Sequence, residues 1–181
     1  MSCCSCAAAS GRIAVVNLER VFREYYKSRI AEEMISKQAA AYKNYLLRLN
    51  NELRQLAEDA KNARHNALNI ALSPADKQKA EQEAAAKQNL VKAKEAEIRM
   101  FVQERSNDLR KLETSKRTEI LNEIRQELKK RAAAEGFEFV FDSSGKTMND
   151  QPQLLVFPER SDITKSVIRE LNRTRSLPAN K

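Results

Sequence analysis

The chain has 181 residues, of which 41% are hydrophobic and 32% charged, with a formal net charge of +8 and no Trp. Only three Gly and four Pro stand among abundant Ala, Glu, Gln, Lys and Arg, which points to long helices rather than one compact domain. No apolar run of about 18 residues is present, which excludes a membrane-spanning helix.

Cys3, Cys4 and Cys6 fall in the opening MSCCSCAAAS. No nearby His completes a metal-ligand set, and no apolar stretch precedes them as a lipid-modified Cys would require. Residues 1–11 are therefore a disordered end, a leftover of processing or cloning, or the small-residue remnant of a secretory signal whose charged and apolar parts are absent.

GRIAVVNLERVFREYY (11–26) combines a buried-type strand, RIAVV, with a short helix that Asn17 can cap through its side-chain oxygen. From about Ser28 to Leu72 the pattern is helical. Leu49, Leu53, Leu56, Ala60, Ala63, Ala67 and Ile70 recur at spacings of 4, 3, 4, 3, 4 and 3, a coiled-coil seam that Tyr42 and Tyr45 carry further back. Ser73-Pro74 interrupts it. Ser is a good cap and Pro suits a first helical turn, so SPADKQ starts a second helix that ends at Glu135 before Gly136.

One kinked continuous helix is the alternative, but the register favours a hairpin. Folding back with the tip near 73–76 sets residue i beside 147 − i, which pairs Leu56 with Val91, Leu49 with Ile98, Tyr45 with Val102 and Ile35 with Leu112. Each arm, at about 1.5 Å per residue, spans on the order of 70 Å. Its distal part, rich in Ala, buries little apolar area.

After Gly136 the period changes. FEFVFD (137–142) and QLLVF (153–157) have strand character, and Ser161 or Asp162 caps a closing helix, SDITKSVIRELN. The expected fold class is mainly α with a small β body: a long antiparallel helical hairpin inserted between strands of a small sheet. The body comprises 12–27 with 135–175, the arm 28–134, and residues 176–181 form a disordered tail. So few strands leave sheet edges open, and several copies completing one sheet or barrel resolve this. Val15, Val16, Phe139, Phe141, Leu155 and Phe157 are the expected oligomerisation residues.

The strand IAVVNL with its short helix, the charged Ala-rich hairpin, AAAEGFEFVFD before a strand, and DIT opening the last helix together resemble the Skp/OmpH family of periplasmic chaperones, over about Arg12 to Asn172. The resemblance implies a trimer whose small β-barrel body projects three tentacle-like arms. It also implies a periplasmic holdase, independent of ATP, that keeps unfolded outer-membrane proteins in the cavity between those arms.

No catalytic constellation competes with this reading. His65 stands in an exposed helical context without Cys or paired carboxylates around it, and no phosphate loop or nucleophile motif occurs. Neither enzyme activity, nor a cofactor, nor a metal is expected. Residues 28–134 hold 22 basic and 16 acidic side chains, six of the chain's net eight positive charges. The signs are interspersed and the distal arm lacks aromatics, so specific nucleic-acid binding is a distant third reading, while an anionic lipid surface remains a candidate partner.

The contest lies between a holdase and a coiled-coil spacer or adaptor. A spacer hides its large apolar residues. Leu46, Leu47, Met100 and Phe101 fit the seam poorly, and Leu68 and Leu72 lie near the tip, so these six are the candidate client contacts. Any one of them can instead pack within the hairpin. Lys77, Lys79 and Lys87 are the candidates for electrostatic capture.

Overall fold

The structure is a computed structural model that describes residues 11–173; the readings of Cys3, Cys4 and Cys6 and of the tail 176–181 lie outside the described residues. Strand β1 (Ile13–Val16) pairs in parallel with β2 (Phe139–Asp142), Ile13 opposite Phe139 and Val16 opposite Asp142. Between them in sequence come helices α1 (Leu18–Glu24), α2 (Tyr26–Ala67) and α3 (Pro74–Glu135); α4 (Thr164–Arg173) closes the described chain.

Local chemistry sets the element ends. The Asn17 side chain accepts from the Arg20 N–H at 2.7 Å, the expected cap of α1. Tyr25, with extended backbone, separates α1 from α2. Asn172, far away in sequence, fastens that break: its side-chain oxygen accepts from the Tyr26 N–H at 2.9 Å and its amide donates to the Glu24 carbonyl at 3.0 Å. Gly136 adopts a φ of +69°, and the Phe137 N–H reaches back to the Ala132 carbonyl at 2.9 Å, the Schellman ending of α3.

Two expectations are corrected. Helix α2 stops at Ala67 rather than Leu72, because the Leu68 and Asn69 amides turn back to the His65 and Asn66 carbonyls. Ile70 therefore leaves the seam and is 102% exposed. QLLVF (153–157) forms no strand. Its flanks are tied to the preceding loop by the Lys146–Pro152 bridge and by Gln153 donating to the Gly145 carbonyl, and β1 has β2 on one side and Asp162 on the other. With no strand ladder to join, Leu155 stands 78% exposed.

The chain divides into two compact units, Met1–Glu33 with Thr114–Lys181, and Met34–Glu113. The first has a core of Ala14, Val16, Val21, Tyr25, Ala31, Ile120, Ile124, Ile163 and Val167. Burial of Ile124, Val21 or Val167 is worth roughly 2 kcal/mol each. In the second unit Leu49, Ala60, Ala63, Ala67 and Val91 are buried and Leu53 and Leu56 half-buried, as the seam requires. The fold-back register holds to within a residue: Lys94 pairs with Glu52 at 2.9 Å, the Phe101 ring lies 4.9 Å from Tyr45, and Arg105 lies over Tyr42.

Candidate binding surfaces

In the unit Met34–Glu113, that one-residue shift decides which side chains face water. Helical positions are about 100° apart, so when Phe101 takes the place expected for Val102, Val102 turns outward. Phe101 is half-buried between Tyr42 and Tyr45, with ring centroids 6.2 and 4.9 Å away, and belongs to the seam. Its neighbour Met100 is 62% exposed and Leu47 is 53% exposed, whereas Leu46 is half-buried. At the turn Leu68 is exposed and Leu72 half-buried. The exposed Met34, Ile70, Leu90 and Val102 join this set of outward apolar residues. Sequence periodicity did not separate Ile70 or Val102 from the seam.

Charge surrounds these residues. Lys94 bridges Glu97 and Glu52 at 2.7 and 2.9 Å, and hydrogen bonds to those two carboxylates raise its ammonium above the ordinary range. Arg105 is raised likewise, first by Glu104 and then by Tyr42, and its guanidinium covers the Tyr42 and Phe101 rings. Lys77 and Lys79 are exposed, and Lys87 pairs with Glu83 at 3.0 Å. His65 is exposed in the last turn of α2.

The first unit carries a second apolar surface. Ile13, Phe139 and Phe141 are exposed, with the two Phe rings stacked 6.2 Å apart; Leu155 and Val156 are also exposed, and Phe157 is half-buried. Val15 and Val16 differ from the other oligomerisation candidates: both are buried within the chain itself. A groove of about 280 Å³ is lined by Val16, Leu18, Leu128, Ala132 and Val140, with Arg125, Lys129 and Asp142 among its walls. Nearby, Glu123 accepts from Lys27 at 2.7 and 2.8 Å and from the Tyr25 hydroxyl at 2.7 Å. Burial raises the Glu123 carboxyl, but the bonds from Lys27 and Tyr25 outweigh it and hold the carboxyl below its usual range. Burial and the bond to Glu123 push the Tyr25 phenol well up.

Among the described residues no group of three or more His, Cys, Asp or Glu is placed to hold a metal, and no helix is long and apolar enough to cross a membrane. A small parallel strand pair with a pair of long antiparallel helices between its strands defines the class: a helical-hairpin protein with a small β body. Residues 12–171 match the family model described as outer membrane protein (OmpH-like), and the chain belongs to that family. In general terms it is a chaperone of the Skp/OmpH type, from a family associated with the periplasm and outer membrane whose members are chaperones rather than enzymes. Outer-membrane proteins are the kind of partner this family binds. A comparison with curated proteins returned no match.

Proposed function

We propose that the protein is a periplasmic ATP-independent holdase that binds unfolded outer-membrane proteins in the cavity between the arms of a homotrimer and prevents their aggregation. The body would be residues 12–27 with 135–175 and the arm 28–134. The observation that carries this reading is the outward placement of Leu47 and Met100 among interspersed charges, beside a seam already filled by Leu49 and Phe101. A few shallow apolar contacts on a charged surface suit many unfolded chains, because adaptable contacts do not demand one partner sequence. The exposed Ile13, Phe139, Phe141 and Leu155 support association of copies through the body.

The spacer or adaptor reading keeps one specific observation, the burial of Phe101 against Tyr42 and Tyr45. Light scattering on the full chain, combined with an aggregation assay on an unfolded membrane β-barrel without nucleotide, separates the two. A trimer mass and suppressed aggregation are expected. Failure to suppress at low salt and excess protein overturns the holdase and leaves the spacer.

A further inference from the structure

The junction between α1 and α2 is bent where the sequence holds nothing that bends a helix. Residues 18–67 contain no Pro and no Gly, the two strong helix breakers. Tyr25 nonetheless has extended backbone, with φ −73° and ψ 127°. Without Pro or Gly, a sharp kink arises at a bulge or where a foreign group enters the hydrogen-bond ladder. Here the foreign group is the Asn172 side chain. In an uninterrupted helix the Tyr26 N–H donates to the Phe22 carbonyl and the Ser28 N–H to the Glu24 carbonyl. Instead the Asn172 oxygen accepts from the Tyr26 N–H at 2.9 Å, and its amide donates to the Glu24 carbonyl at 3.0 Å. The Ser28 N–H turns to the Tyr25 carbonyl at 3.1 Å. One side chain thus stands in for one acceptor and one donor of the helix.

The bend has a gain and a cost. It buries Tyr25 to 4% exposure and lets the Tyr25 hydroxyl donate to Glu123 at 2.7 Å. It also leaves the Ser28 hydroxyl, in a residue only 1% exposed, without a hydrogen-bond partner. A serine hydroxyl inside a helix can bond the carbonyl four residues back, which for Ser28 is the Glu24 carbonyl that Asn172 occupies. An unpaired buried hydroxyl disfavours the bent state, and closing the helix relieves it.

We propose that the α1–α2 junction is a two-state switch with Asn172 as its latch: bent while Asn172 is clamped, and one continuous helix from Leu18 once Asn172 lets go. Asn172 lies in the last turn of α4. Fraying of that turn frees the latch while Val167, buried in the core, keeps the rest of α4 in place. The end of α4 therefore controls the direction in which the first turns of α2 leave α1.

NMR on the full-length chain tests this, because the Tyr25 Cα shift distinguishes extended from helical backbone and relaxation dispersion measures the population of a minor state. Asn172→Ala is expected to raise the released population at least about tenfold, two neutral hydrogen bonds being lost. The Tyr25 shift of that population should be helical. Ser28→Ala removes the unpaired hydroxyl and should act in the opposite direction, lowering the released population several-fold. The double variant should lie between the two. Amide exchange at Val167 should stay unchanged in all three, which shows that α4 is still docked. An Asn172→Ala protein whose Tyr25 stays extended, with no larger minor state, overturns the proposal. So does a minor state with a disordered rather than a helical Tyr25 shift, or a Ser28→Ala effect in the same direction as Asn172→Ala. Faster exchange at Val167 in Asn172→Ala protein would show that α4 undocks as a whole and that Asn172 is no latch. Client is absent from these measurements, so this proposal and the holdase reading fail independently.

Discussion

Glu123 shows how much a single side chain joins. It receives two bonds from Lys27 and one from Tyr25, and so holds the start of α2 against the C-terminal half of α3 inside one compact unit. Because its folded pKa lies below the ordinary carboxyl value of 4.5, its contribution to stability is present above about pH 4.5 and is lost as pH falls through the lower folded value. The Lys27 and Glu123 side chains are 42% and 33% exposed, so solvent screens the pair. Glu123→Gln is expected to cost about 1 kcal/mol near pH 7. The gap in Tm from the unaltered protein should narrow toward pH 3. A gap independent of pH would show that packing, not the charge, matters there.

At the scale of elements, ends are set by particular polar groups, some local and some distant. Helix α4 begins at Thr164, where the Asp162 carboxylate accepts from the Thr164 N–H at 2.8 Å, while Ser161 belongs to the preceding 3-10 turn, Glu159–Ser161. Of the two candidate caps, Asp162 is the one whose side chain bonds a first-turn amide, although it stands one residue ahead of Ile163, whose carbonyl accepts the first helical bond from the Val167 N–H at 3.0 Å. Asp162→Ala should therefore lower stability by about 1 kcal/mol, and Ser161→Ala should leave the melting temperature nearly unchanged. Equal effects from both variants would contradict this geometry. Thr164 also serves the neighbouring element, since its hydroxyl accepts from the Asn17 N–H at 2.9 Å just before α1.

For the molecule as a whole, charge and apolar exposure should act on different rate constants. If the protein is the proposed holdase, the arm's net charge of +6 is expected to speed encounter with acidic clients through a field that salt screens, and apolar contact to slow release. Changing Lys77, Lys79 and Lys87 to Gln is expected to reduce the on-rate several-fold and to weaken its salt dependence. Leu47→Ser with Met100→Ser should mainly raise the off-rate, about tenfold if each contact is worth about 0.7 kcal/mol. Stopped-flow binding of an unfolded β-barrel client separates the two. The reverse assignment of on- and off-rate effects would remove the capture-then-hold scheme.

Much of this architecture was determined by the sequence alone, because its signals are local. Asn17, Ser73-Pro74 and Gly136 mark helix ends through chemistry that acts within a few residues, and the 3-4 spacing from Leu49 to Ala67 defines a seam from periodicity. The tertiary structure decided what depends on a partner. A strand exists only where a ladder completes it, so Phe139–Asp142 pairs with Ile13–Val16 while 153–157, equally strand-like in composition, joins no ladder among the described residues. Asn172 bonding across the Glu24–Tyr26 break has no local signature. The candidate surface turned on the finest distinction, because periodicity sets a seam only to within a residue. One residue is about 100° of helix, and that rotation put Phe101 inside and left Met100 and Val102 in water, while Ile70 left the seam because α2 ended at Ala67.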